Sequence, residues 1–392
     1  MDPFIADWLN LLLRWAHLIA GIAWIGTSFY FVALDFSLKR HAGLAPGVAG
    51  EAWEVHGGGF YHVQKYGVAP ANLPPDLIWF KWEAYLTWVT GFLLLIVQYY
   101  LNATAFLIDP AILPLEPWQA ISISLAGLVI GWFAYDALCR SPIGRHDGWL
   151  ALAVFALILI AAWAFTHLFS GRGALIHVGA FVGTMMAANV FAIIIPNQKK
   201  ITASLLKGEA PDPRYGVIGK QRSLHNTYLT LPVLLMMISN HYPMVTGHPQ
   251  AWILVGLIVI GGASLRHFLV RHEVGDEMAE IAWTLPIIFG SLAAALWLTE
   301  PDRRIGEGLT VSDADVMAIA DKHCVMCHAS QPSHKGFKEP PKGVVLTSID
   351  DWRRHAQQIE AQAVRNKSMP LGNETKMTDH ERAMLGAWIR SL

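Results

Sequence analysis

The chain has 392 residues, 15% of them charged and 54% hydrophobic, with a formal net charge of -1. So apolar a composition argues against an ordinary soluble enzyme, and the near-zero charge balance argues against a nucleic-acid partner. Three cysteines are too few for a disulfide framework.

Eight apolar runs approach the about 20 residues that a membrane-crossing helix needs. They lie near 8–34, 79–101, 118–138, 149–169, 174–195, 223–241, 251–270 and 281–299. The N-terminus has no Lys or Arg before Arg14, so no cleavable signal peptide is read there and the first run is expected to stay as a helix. Cys139 closes the third run and reads as a small buried hydrophobe. The basic residues set an orientation. The odd loops carry Lys39, Arg40 and Lys65, then Arg140 and Arg145, then Lys199 to Arg222, then Arg271, whereas the even loops carry only Arg172. The positive-inside rule places the odd loops in the cytoplasm and both termini outside, in the periplasm of a Gram-negative cell. The fold class expected is all-α: a lipid-embedded bundle of eight transmembrane helices over residues 1–300, a linker over 301–311, and a soluble domain over 312–392.

The first two runs are joined by about 45 residues, far more than a usual connection. This loop contains Trp53, then His56-Gly57-Gly58-Gly59-Phe60-Tyr61-His62, then Lys65 and Tyr66, with Lys81 and Glu83 at the mouth of the second run. Gly57, Gly58 and Gly59 allow close backbone approach and exposed N–H groups, which suit an anion. Phe60 and Tyr61 offer stacking surfaces, Lys65 a cation, and His56 or His62 a general base. A flat, anionic, heteroaromatic ligand fits that set.

Ionisable residues inside spans are functional candidates by default. His17 lies mid-span in the first run, His177 near the outer end of the fifth, and His167 at the outer end of the fourth. His225 and His267 fall at similar depth, roughly 5 Å past Arg222 and roughly 6 Å before Arg271 at 1.5 Å per residue. Such pairs, His225 with His267 and His17 with His177, are suited to hold one or two b-type haems that carry electrons across the membrane. Polar bonding between helices is the alternative.

In the soluble segment, Cys324-Val325-Met326-Cys327-His328 is C-x-x-C-H, the attachment signature of covalent haem c. Two thiols one helical turn apart match the two vinyl groups, and His328 reaches the iron. A domain of about 80 residues has a small core, so a covalent cofactor would help it fold. Ser312 with Asp315 and Thr378 with Glu381 read as capping pairs of a first and a last helix, as in a small cytochrome c. Met369, in Lys367-Ser368-Met369-Pro370, is the expected sixth ligand, with Met377 as the fallback. The carbonyl of Pro340 or Pro341 is expected to orient His328.

Taken together, the Leu9–Gly26 run, His56-Gly57-Gly58-Gly59-Phe60-Tyr61, Trp79-Phe80-Lys81-Trp82-Glu83 and the terminal C-x-x-C-H resemble the membrane-bound urate oxidases fused to cytochrome c, also called bacterial urate hydroxylases. The resemblance covers the whole chain. It implies oxidation of urate to 5-hydroxyisourate in purine catabolism at the bacterial inner membrane. Electrons would pass to a periplasmic haem c, and on to a terminal oxidase or a soluble cytochrome. Two other readings share this layout: a quinol-linked or other small-molecule dehydrogenase, and a haem-bearing subunit that serves a separate enzyme.

Overall fold

The computed structural model describes all residues except 1–2, 71–72, 75, 301–305 and 366, and only the backbone of Pro3. Much of the expected linker, and Asn366 beside the Met369 loop, therefore lie outside the described residues.

The chain is mostly helical. Each of the eight apolar runs forms a helix: α1 (Pro3–Ser37), α2 (Trp82–Leu95), α3 (Pro117–Arg140), α4 (Asp147–Leu168), α5 (Gly171–Ala188), α6 (Ile195–Leu206), α7 (Pro213–Ile238), α8 (Ala251–Val274) and α9 (Thr284–Leu298), with α5 and α6 sharing one run. Five helical stretches are long and apolar enough to cross a membrane: Phe4–Ser37, Pro117–Arg140, Asp147–Leu168, Gly171–Leu206 and Ala251–Val274. The other three runs fall short for local reasons. Helix α2 has 14 residues and runs into a π-helical turn, α7 carries Arg214, Lys220 and Arg222, and α9 has 15 residues.

Local sequence explains the boundaries. Helix α3 begins with Pro117 in its first turn and a capping box between Glu116 and Gln119. Ser170 caps α5 by accepting from the Gly173 N–H, and α8 stops at Gly275, whose left-handed φ of 91° suits glycine. Helix α5 lies at the centre of the bundle, packed against α3, α4 and α7. Its close packing needs small residues: a Cβ at Gly131 of α3 would sit 2.0 Å from the Phe181 ring of α5. Helix α1 is the opposite case, with only 6% of its span buried. Phe4, Trp8, Leu11, Trp15, Leu18 and Ile22 stand exposed along it, an apolar surface that fits lipid better than water.

The expectation of an all-α chain needs one correction. The long first loop folds as an antiparallel hairpin, β1 (Val48–His56) and β2 (Gly59–Tyr66), with Lys39 bridged to Glu51 beside it. Gly57 and Gly58 form its two-residue turn with φ of 59° and 80°, the doubly positive pattern of a type I′ hairpin turn.

After residues 301–305, α10 (Asp313–His323), α11 (Val325–His328), α12 (Ile349–Arg354) and α13 (Asp379–Ser391) enclose a second, separate core. Capping boxes at Ser312–Asp315 and Thr378–Glu381 open α10 and α13. Trp388 Nε1 donates to Asp313 at 2.7 Å and ties the last helix to the first, while Trp352 meets Trp388 edge-on.

Candidate functional site

The residues singled out in sequence fall into three regions. The first is the hairpin. Strand alternation places Glu51, Trp53, Val55, Phe60, His62 and Gln64 on one face. Ala52, Glu54, His56, Tyr61, Val63 and Lys65 lie on the other. The structure therefore divides the expected ligand set: Phe60 and His62 point one way, His56, Tyr61 and Lys65 the other. The second face turns to α1, where Lys65 pairs with Asp35 at 2.6 Å and Tyr30 donates to Glu54 at 2.8 Å. Lys65 thus holds the hairpin to the helix. Gly57 and Gly58 serve the turn, and no side chain lies within 4 Å of where their Cβ atoms would be.

On the first face, His62 is a positioned base. Its Nε2 meets Glu51 at 2.9 Å and its ring stacks on Trp53 at 4.2 Å. Hydrogen bonds from His41, Gln64 and His62 hold the Glu51 carboxyl down to about 2. His56 makes no such contact among the described residues.

The second region is the histidines of the bundle. His17 Nδ1 faces the Thr87 carbonyl at 2.9 Å, so this nitrogen carries the proton and Nε2 keeps its lone pair; the ring lies against Gly91 of α2. His177 is fully enclosed and uses both nitrogens, Nδ1 on the Gly173 carbonyl at 2.7 Å and Nε2 on the Ser124 hydroxyl at 2.6 Å. His225 Nδ1 meets the Tyr135 hydroxyl at 2.7 Å, and His267 Nδ1 the Tyr228 hydroxyl at 2.7 Å. Each ring has its own partners, and none is shared between His17 and His177 or between His225 and His267. Around His225 lies a buried polar network that spacing did not reveal. Asn189, at the start of a π-helical turn, donates to Tyr135 and to Asn226, both at 2.9 Å. Arg222 donates to Asp136 at 2.6 Å and to Asn189 at 3.2 Å. Arg222, counted above as a loop charge, is in fact 1% exposed within α7. Its place just before an apolar run, next to other basic residues, gave no sign of this.

The third region is the C-x-x-C-H segment. Cys324 and Cys327 are free thiols, and the His328 N–H bonds back to the Cys324 carbonyl at 2.8 Å, so the motif forms one helical turn. Burial pushes the Cys324 thiol up to about 12, with Cys327 beside it adding to the rise. His328 Nδ1 donates to the carbonyl of Val344 at 2.8 Å, not to that of Pro340 or Pro341 as expected. The chain turns at Pro341–Gly343 and brings the next carbonyl into line. This bond fixes the tautomer and leaves the Nε2 lone pair for a metal. Met369 packs against the same core as Cys324, and buried Arg382 of α13 donates to the Met369 carbonyl at 2.7 Å. Met377 is a core side chain at 4% exposure. Beside Cys327 lies a cleft lined by Met326, Phe337, Pro370 and Leu371, with Ala105 of the helical bundle at its rim. The donor set fits a covalent haem c: two thiols one turn apart, an oriented imidazole and a thioether in one apolar cluster.

Residues 3–299 match the family model described as Urate oxidase N-terminal. The chain belongs to this family. No curated protein and no solved structure matches it. The matched region takes in the hairpin and the buried histidines of this Urate oxidase N-terminal chain, and it ends where the segment bearing Cys324 and His328 begins.

Proposed function

We propose that this protein oxidises urate to 5-hydroxyisourate in its helical part, with water supplying the added oxygen and two protons released, and passes the two electrons one at a time to a haem c held in residues 312–392. The observation that carries the reading is the union, in one chain, of the family match over 3–299 with a C-x-x-C-H turn whose histidine is already oriented. The apolar helices support a place in the bacterial inner membrane, and the loop charges support a periplasmic haem domain.

Haem c, when bound, would supply a one-electron acceptor. Cys324 and Cys327 would hold it covalently, and His328 Nε2 and Met369 would bind its iron. The chain's own residues bind the substrate and move its protons. His62, oriented by Glu51, is the hairpin residue best placed to accept a proton. For a b-type haem in the bundle, His17 is the ring that best suits a ligand, because the Thr87 carbonyl fixes the proton on its Nδ1 and its Nε2 has no partner among the described residues, whereas the tyrosine hydroxyls that meet His225 and His267 can donate or accept. A terminal oxidase or a soluble cytochrome would take the electrons onward.

The deciding experiment is anaerobic addition of urate to the purified oxidised protein, followed by its visible spectrum. Reduced haem c bands are expected. Bands that stay oxidised with urate, but appear with a quinol, would favour the dehydrogenase reading instead.

The axial ligand has its own test. Met369→Ala should lower the reduction potential and open the iron to small ligands, with little effect on folding. Met377→Ala should instead cost about 2–5 kcal/mol of domain stability, as for a methionine deleted from a core, and leave the potential near native. Potentiometric titration and thermal melts of both variants separate the roles, and exchanged outcomes would exchange the assignments.

A further inference from the structure

Two arginines are buried in the helical bundle, and they differ in one respect. Arg222 has Asp136 and Asn189 as partners and only its Nε unmet. Arg266 of α8, also 1% exposed, has Nε and Nη2 without any hydrogen-bond partner, and no carboxylate within ion-pair distance among the described residues. Its guanidinium lies 3.6 Å from the centre of the Phe29 ring of α1. Glu273 is exposed and seven residues further along α8, and Arg271 is taken up by Asp276. A buried charge with unmet donors is costly and calls for a partner.

The two orphaned nitrogens define what that partner is. Nε–H and Nη2–H are the parallel donors of one edge of the guanidinium, the edge that grips two adjacent acceptors at once. Phe29 covers one face of the group. The Tyr228 hydroxyl bonds His267, the residue next to Arg266 in α8, at 2.7 Å. Trp283 packs against His267. A planar forked donor covered on one face by a flat ring favours a planar anion over a tetrahedral one. Arg266 is eight residues from the end of α8 and Phe29 eight from the end of α1, each roughly 12 Å inside at 1.5 Å per residue. The hairpin sits at that end of α1, held there by Tyr30 and Asp35.

We propose that Arg266 anchors the substrate anion through the Nε/Nη2 edge, gripping the O–C–N edge of a deprotonated oxopurine beside the Tyr228–His267 pair. The proposal rests on the urate reading above and places the anion in the interior between α1, α7 and α8, with the hairpin and its His62 at the same end of α1. The same donor edge would also accept a lipid phosphate, so the test separates the two sources.

Equilibrium binding of radiolabelled urate is measured on full-length protein in phosphatidylcholine nanodiscs, for wild type, Arg266→Gln and Arg266→Lys. The Gln variant is expected to bind roughly 10- to 150-fold more weakly, the loss of a charge-assisted contact. The Lys variant keeps the charge without the paired donors and should recover part of that. Wild-type binding should weaken as pH falls through the first ionisation of urate, and the Gln variant should lose this dependence. If Arg266→Gln does not assemble, Arg266→Lys alone carries the test, expected about tenfold weaker. Unchanged affinity in the variants, with saturable wild-type binding, overturns the role of Arg266 and leaves the urate reading standing. A wild type that neither binds urate nor is reduced by it overturns both. Loss of a co-purified anionic phospholipid in Arg266→Gln, seen by native mass spectrometry with urate binding intact, assigns the edge to lipid and overturns the proposal.

Discussion

A protein carrying Cys324→Ala and Cys327→Ala together is expected to insert normally, to carry no covalent haem, and to lose urate-driven reduction of any external acceptor. The thiols are the only atoms of the turn able to form thioethers, and the described cysteine outside it, Cys139, lies in α3 against a different core. The two hydrophobic cores share no residue, so collapse of the small one leaves the packing around α5 intact. The effect on the terminal domain itself should be severe. About 80 residues bury little apolar surface, and the cofactor would add a large share of it. Haem staining of a denaturing gel, with a membrane-fraction blot beside it, reads both halves of the expectation. Retained stain in the double variant would sink the assignment of haem to this turn.

The second large effect is expected in the bundle. Asp136→Asn should destabilise the protein by about 3–5 kcal/mol, because it removes the counter-charge of a buried guanidinium. Arg222 is the dependent partner: its side chain is 2% exposed and its contact to Asp136 is 2.6 Å. Arg140 also binds Asp136 but stands in the open and can turn to water. Asn189 and the rings of Trp132 and Tyr135 remain around Arg222, yet none of them carries charge. Adding Arg222→Met to Asp136→Asn should therefore restore much of the lost stability, since an apolar pair of similar volume is cheap where a lone charge is not. Thermal unfolding in detergent, compared across both single variants and the double, measures the coupling. Additive losses would mean that the pair is not a unit.

How much of this could be read in one dimension depends on which physical quantity is local. Helix existence is local, so all eight apolar runs appear as helices, and the caps at Ser312 and Thr378 are present with their partners three residues on. The C-x-x-C-H turn is local too, because an attachment site needs only two thiols and an imidazole within one turn. The hairpin had a readable signal in Gly57-Gly58 flanked by Trp53, Val55, Phe60, Tyr61 and Val63, residue types enriched in strands, but a glycine run is equally suited to a ligand cradle. Gly57 and Gly58 are there because a type I′ turn needs two positive φ angles.

What remained hidden was azimuth and partnership. A rise of 1.5 Å per residue predicts similar depths for His225 and His267, but depth does not say which neighbour a side chain faces. The tertiary packing turned His225 to Tyr135 and His267 to Tyr228. The carbonyl that orients His328 belongs to Val344, because the turn at Pro341–Gly343 selects among residues that all have the same group. Most of all, Arg222 precedes one apolar run and Arg266 lies inside another, each near a histidine, and neither position says what partner the charge will have. Only the fold supplied Asp136 to one and left the paired donors of the other unmet, since a buried charge is satisfied by whatever distant helix packs against it.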